Sequence, residues 1–279
     1  MLKSKRKKII GNFGMYLLLI VVCIISLYPF YWMFIGSTLT SSEIFQFPPR
    51  LLPGSSFWDN ITNLVTSTPI FSGLKNSLIT TVGFTVLNVY FCSLAGYAFA
   101  KFEFKGKNIL FYLITITMML PQQVTLIPLF KTFTSLNLQN NPLAVIFPAL
   151  ANAFGVFFMR QNMMSIPMEM IEAARVDGAN EFKIFNRIIL PTLKPAIASL
   201  ALLNFINQWG NYLWPLIILQ DTDAQTLPVM LSMLIAPGQV IEYGQVLAGT
   251  IIGVLPILII FIFCQKYFVA GIYGGSVKG

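Results

Sequence analysis

Six stretches of this chain run for 23 residues or more without Asp, Glu, Lys or Arg: 9–42, 76–100, 108–130, 132–159, 195–220 and 243–265. Crossing roughly 30 Å of hydrocarbon at 1.5 Å per residue takes about 20 mostly apolar residues in a helix. Backbone amides in lipid find no water to bond, so only helices and closed barrels span it. The windows predict an all-α polytopic membrane protein with six spans, near 15–35, 77–99, 109–129, 144–159, 196–219 and 244–264. The fourth is the shortest and is interrupted by Pro148 and Asn152. A further uncharged window, 224–241, has a short apolar centre bracketed by Pro228, Pro237 and Gly238, which suits an interfacial or surface helix. Residues 45–74, rich in Pro, Ser, Thr and Asn, read as an ordered external loop.

Charged residues make up 10% of the chain, against about 25% in a soluble domain. That deficit argues against a soluble enzyme and leaves too little polar surface for a nucleic-acid partner. Histidine is absent, which excludes His-based triads and zinc proteases. Cys23, Cys92 and Cys264 are far apart in apolar runs and suit neither a disulfide framework nor a metal cluster. The basic run Lys3–Lys8 resembles a signal n-region, but the apolar run after it is too long and ends in no small-x-small site, so it is expected to stay as a span.

With a cytoplasmic N-terminus and six alternating spans, fifteen of the 18 Lys and Arg fall inside and three (Arg50, Lys75 and Lys131) outside, while acidic residues divide five and five. This is the asymmetry that sets membrane orientation. It explains the net charge of +8 and places both termini in the cytoplasm. The chain then divides into a basic cytoplasmic segment 1–14 and a transmembrane domain 15–279. The domain includes a cytoplasmic loop 160–194, an external loop 220–243 and a cytoplasmic tail 266–279.

The loop 160–194 predicts a helix starting at Pro167, with Glu169 and Glu172 near its positive end. Gly178 is its stop and a second helical stretch runs over 181–189. Met170, Ala173, Ala174 and Asp177 fall at i, i+3, i+4 and i+7, giving a smooth face that fits a cleft on another protein. The residues alone are equally compatible with an amphipathic helix lying on the membrane.

Glu172-Ala173-Ala174, then Gly178, Ile188 and Leu190-Pro191, resembles in its full spacing the EAA loop of ABC-importer permeases. Other segments are similar to the carbohydrate-uptake branch, typified by the smaller permease of the maltose importer. These are Asn76-Ser77, the run from Ala95 to Lys101, Phe104-Lys105-Gly106-Lys107, Met119-Leu120-Pro121 and the ending from Lys266. Two departures stand out: Gly210 separates Trp209 from Asn211, and the tail is rich in glycine.

The resemblance implies the six-helix type I importer permease fold in a bacterial or archaeal plasma membrane. It implies half of a pore formed with a second homologous permease, driven by two cytoplasmic ATPase subunits and fed by an extracellular sugar-binding protein. Glu172, Ala173, Ala174, Asp177, Gly178, Leu190 and Pro191 would couple to the ATPases, with the tail as a second contact, and the external loop would meet the binding protein. ATP and Mg would be held by those partners, this chain having no cofactor. Its Gly106-Lys107 pair lacks the remainder of a phosphate-binding loop.

Within the fifth span, Asn204, Asn207, Gln208 and Asn211 recur at helical spacing on one stripe, flanked by Trp209 and Tyr212. Two readings stand: amides that glue helices together, or a path that bonds sugar hydroxyls with aromatic rings beside it. Asn88 and Asn152 read as structural. None of the six spans holds a deep ionisable residue, which disfavours an ion-coupled carrier. The alternatives are an ABC permease for an amino acid, peptide or phosphonate, and a non-transporting scaffold or channel.

Overall fold

The computed structural model describes the backbone of residues 2–274 apart from 151 and 239, and the side chains of 14–265 with the same exceptions. The basic side chains of the N-terminal segment and the side chains of the tail lie outside the described residues. All regular structure among the described residues is helical. In chain order the α-helices are α1 (Leu2–Ser37), α2 (Ser41–Ile44), α3 (Phe57–Ser67), α4 (Ile70–Lys101), α5 (Lys107–Ile116), α6 (Leu126–Ser135), α7 (Pro142–Ala149), α8 (Ala153–Met164) and α9 (Met168–Val176). They continue as α10 (Glu181–Ile184), α11 (Leu190–Thr192), α12 (Lys194–Trp209), α13 (Leu213–Ile218), α14 (Leu227–Met233) and α15 (Tyr243–Gly274).

Three helices are long and apolar enough to cross a membrane alone, over Gly14–Ser37, Ile70–Lys101 and Tyr243–Gln265. Six crossings result when each of three bent helix pairs counts as one. The third expected span is therefore not one rod. It turns by 99° between its arms, because Pro121 has no N–H to donate and drives Leu120 into an extended conformation (ψ 125°). The fifth also stops short of its expected end. α12 ends at Trp209, and Pro215, four residues beyond Asn211, cannot bond back to that carbonyl, so α13 starts separately. At its other end α12 meets the 181–192 arm at an 82° bend, where Leu193 leaves helical geometry ahead of Pro195.

The described chain forms two compact units, Met1–Thr68 with Leu231–Ile252, and Pro69–Met230 with Gly253–Gly279. In the first, Ile35, Leu39, Leu64 and Ala248 are fully buried. Asn60 donates to the carbonyls of Ser37 and Leu39, each at 2.9 Å, which ties α3 to the end of α1. Gly244 is required there, since a Cβ would lie 2.5 Å from both Asn60 Nδ2 and the Leu39 carbonyl oxygen. The expected external loop 45–74 thus contains an eleven-residue helix, α3, and the first turn of α4.

In the second unit α4 packs along α8 and against α12 and α7. At Gly96 an added Cβ would lie 2.8 Å from the Arg160 amide nitrogen, so the backbones of α4 and α8 meet with no side chain between them. The uncharged window after residue 223 yields only the seven-residue α14. It is not a surface helix: Leu227, Val229 and Met230 are buried, and the Leu227 N–H donates to Ser77 Oγ at 2.8 Å.

Candidate functional site

The loop between α8 and α12 is built as expected from its sequence. Pro167, extended at ψ 141°, opens α9, with Glu169 in the first turn and Arg175 in the last. Gly178 takes a left-handed φ of +78°, while the Gly178 and Ala179 amides close the helix on the Arg175 and Ala174 carbonyls. Asn180 then caps α10 by accepting from the Lys183 N–H at 2.8 Å. The chain continues through a π-helical turn, Phe185–Ile189, to Leu190 and Pro191.

Burial decides which face of α9 is on offer. Ile171 and Ala174 enter a core with Tyr97 and Phe99 of α4, Met159 and Met163 of α8, and Ile184 and Phe185. The face expected to be smooth is therefore divided. Ala174 is buried, where its small size lets α9 sit against the core, and Met170 is half-buried. The exposed face carries Glu172, Ala173, Val176 and Asp177, with Val176 88% exposed and Phe182 exposed nearby. Leu190 is half-buried and Pro191 exposed at the end of the second stretch.

A charged clasp closes the loop. The Glu181 carboxylate accepts from Arg175 Nε at 2.7 Å and from the Tyr97 hydroxyl at 3.0 Å. The bond to Glu181 raises the Arg175 pKa above its ordinary value. The Arg175 guanidinium also lies 5.9 Å from the Phe102 ring centroid. Lys101 Nζ donates to the Ile166 carbonyl, and the Arg160 guanidinium stacks 4.2 Å from the Phe111 centroid. The loop is thus tied to the end of α4 at several points. Sequence reasoning named neither Tyr97 nor Glu181 as a partner; only the basic and aromatic residues ending α4 hinted at it.

The four amides of the fifth span do not share one environment. Asn204 is buried and donates to Asn88 Oδ1 at 2.8 Å. Asn88 in turn donates to the Ala149 and Leu150 carbonyls, each at 3.2 Å. Asn152, read as structural, accepts from the Gly155 N–H at 3.0 Å and caps α8. Gln208 is buried and accepts from Asn211 Nδ2 at 3.4 Å. Asn211 lies past the end of α12, so the helical spacing that aligned it with the others does not reach it. Trp209 is buried, stacked on Phe205, and donates from Nε1 to the Gly253 carbonyl at 2.8 Å. Asn207 and Tyr212 alone of the six are exposed.

Another polar feature sits where 220–224 meets α4 and α7. Asn76, Asn140, Asp221 and Asp223 line a cleft of about 660 Å³. Asn140 Oδ1 accepts from the Gln220 and Asp221 amides, and Asn76 Nδ2 donates to the Asp223 and Gln225 carbonyls.

Residues 92–272 match the family described as binding-protein-dependent transport system inner membrane component. The chain belongs to this family. It is 37% identical, over the whole of both chains, to the arabinooligosaccharides transport system permease protein of Bacillus subtilis. It is 36% identical to the lactose transport system permease protein of Rhizobium radiobacter, covering 94% of this chain and 95% of that one. The sn-glycerol-3-phosphate transport system permease protein of Yersinia pestis is 33% identical, with 92% and 94% covered. Among solved structures, a chain of a bacterial ABC transporter involved in the import of the polysaccharide alginate superposes with a TM-score of 0.82. That match is 26% identical in sequence and covers 93% of this chain and 96% of the other.

As a member of the family the chain is a transport permease and an inner-membrane component, with the ABC-importer permease fold. The matched region contains the whole loop 160–194 and the amides of α12. Within that loop Glu172, Ala173 and Ala174 lie in α9, which is buried on one face and exposed on the other, while Gly178, Ile188, Leu190 and Pro191 follow it.

Proposed function

We propose that this chain is one half of the pore of an ATP-driven importer of di- or oligosaccharides. A second permease forms the other half, two cytoplasmic ATPase subunits power it, and an external binding protein delivers the solute. The observation that carries the motor side of this reading is the exposed face of α9. Glu172, Ala173, Val176 and Asp177 point outward while Ile171 and Ala174 lock the same helix into the core of α4 and α8. A helix gripped from the cytosol on one face and fixed to spans on the other passes a closing motion of the ATPases to the pore. Glu172 supplies an acceptor for a basic or hydrogen-bonding group in the docking cleft, and Gly178 keeps the turn slim. ATP and Mg belong to the partner subunits.

A carbohydrate is the solute the relatives support, since the two with the highest identity quoted above are named for arabinooligosaccharides and lactose. Asn207 of the stripe and the flanking Tyr212 have exposed surface to meet a sugar, and Asn204 serves helix packing. The external loop 220–243, with the Asn76–Asp223 cleft, is the surface assigned to the binding protein. ATP binding opens the pore outward to receive the solute, and hydrolysis returns it inward.

The test is uptake by the reconstituted complex in competition with a panel of sugars, amino acids, peptides and phosphonates. Competition by oligosaccharides alone supports the reading, and competition by one of the other classes replaces it. Glu172→Lys should leave insertion and assembly intact while separating ATP hydrolysis from uptake. Unchanged coupling would remove α9 from the motor interface.

A further inference from the structure

The segment leaving α1 exposes a dense set of apolar side chains: Phe47 is 90% exposed, Leu52 72% and Trp58 73%, with Phe45 and Leu51 also exposed. In a water-filled loop this would be a costly surface. Its depth, however, is set by a hydrogen bond, because the Tyr31 hydroxyl donates to the Leu51 carbonyl. Tyr31 lies six residues before Ser37, the last residue of α1, which is about 9 Å back along the helix axis at 1.5 Å per residue. Helical side chains lean toward the N-terminus, so the tyrosine reaches still deeper. The chain then climbs back: the Gly54 N–H donates to Thr38 Oγ1 at 2.8 Å and the Ser56 N–H to the Thr38 carbonyl at 3.0 Å. Residues 45–53 are therefore an excursion that descends beside the span and returns to its end.

We infer that this excursion is an interfacial anchor, with Phe47, Leu51 and Leu52 seated in the headgroup and upper acyl region of the leaflet in which α1 ends. Its one basic residue is arranged for that setting. Arg50 turns back to Glu43 at 2.6 Å, so its apolar stem lies in the interface while its charge is paired at the α2 end of the excursion. Trp58, beside Phe57 at 5.2 Å between ring centroids, adds the aromatic type that gathers at membrane boundaries. The occupant is lipid: the tie to Tyr31 sets the excursion alongside a span, where a water-soluble partner does not reach, and cover by a second permease is an outcome the test below separates. The inference needs only that α1 crosses the membrane. It stands or falls separately from the solute and from the motor.

Phe47→Cys and Leu52→Cys, made singly in the assembled complex, are spin-labelled in phosphatidylcholine nanodiscs, with the parent's background subtracted. Collision with oxygen, which concentrates in the bilayer, is compared with collision with a water-soluble nickel chelate. Both labels should favour oxygen, and a label at Thr222→Cys, exposed in the 220–224 turn, should show the reverse order. Nickel access at 47 and 52 equal to that at 222 would show a solvated loop and overturn the inference. Exclusion of both relaxants would show cover by protein and overturn it equally, whether it occurs at rest or only after the binding protein is added.

Discussion

The Tyr97 hydroxyl lies 3.0 Å from Glu181 Oε2, joining the end of α4 to the stretch after Gly178 across 84 positions of sequence. On its other oxygen Glu181 holds Arg175 at 2.7 Å, so one carboxylate links α4, α9 and α10. Hydrogen bonds to charged groups contribute about 1.5–3 kcal/mol when buried. Glu181 and Arg175 retain 43% and 36% side-chain exposure, so solvent screens the pair and its contribution to stability is small. Tyr97→Phe should lower the thermal stability of the complex slightly while reducing uptake per ATP hydrolysed. Equal uptake per ATP would show that the clasp has no part in coupling.

Ala173 and Ala174 are neighbours with opposite surroundings, the first exposed and the second 7% exposed within the core. Ala174→Leu should overpack the site and destabilise it by about 1–3 kcal/mol, read as a lower melting temperature and reduced yield. Ala173→Leu should leave both unchanged and weaken copurification of the ATPase subunits. Similar stability losses for the two variants would contradict the division of faces.

At Gly178 the constraint is conformational, because an added Cβ would meet nothing within 4 Å while φ is +78°. Gly178→Ala should cost about 1–2 kcal/mol from left-handed strain alone. Gly178→Asp adds a charge on the docking side, and should lower coupling more than Gly178→Ala at comparable yield. Copurified ATPase and uptake, measured together, separate the two effects.

The Asn88–Asn204 bond makes a different prediction from Asn207. Asn204→Leu deprives Asn88 Oδ1 of its amide donor, leaving only the Cys92 thiol at 3.4 Å, and should destabilise the protein by about 0.5–2 kcal/mol, the range for polar contacts between membrane helices. Asn207→Leu, on an exposed position, should spare the fold and reduce uptake. A thermal-shift assay beside an uptake assay checks both. Normal uptake by Asn207→Leu would leave the polar stripe as helix packing only.

Glu43 supplies a pH dependence outside the spans. The Thr40 backbone N–H, at 2.9 Å, is the first cause holding its carboxyl below 4.5, with the Thr40 hydroxyl and Arg50 adding to it. A carboxylate whose folded pKa is lowered stabilises the fold at pH above the unfolded value. That stabilisation disappears as pH falls from about 4.5 through the lower folded value. The Glu43 carboxyl carbon, followed by NMR, should titrate below 4.5 and move upward in Arg50→Gln. A midpoint unaffected by Arg50→Gln would show that the pair is not formed.

The apolar windows and the loop with its Gly178 turn were legible in the sequence, because each depends on residues close together in the chain. Hydropathy averages, however, register residue type and not whether a helix continues, and the capping of α8 by Asn152, read from the sequence only as structural, emerged from the fold. Pro121 and Pro215 were visible, yet a window centred on either still scores as one span. The division between Ala173 and Ala174 could not be read, since it depends on Phe99, Met163 and Phe185 arriving from three other segments. The amide stripe failed as a single unit for two reasons: α12 stops before Asn211, and Asn204 finds its partner on α4.

The meeting of α4 and α8 at Gly96 has a mechanical corollary. Where two rods touch backbone to backbone, no compliant side chain lies between them to absorb shear. At that crossing a push delivered to the chain after Met164 would pass from α8 to α4 without a side chain to absorb it. A bulkier residue at position 96 would act as a wedge between them.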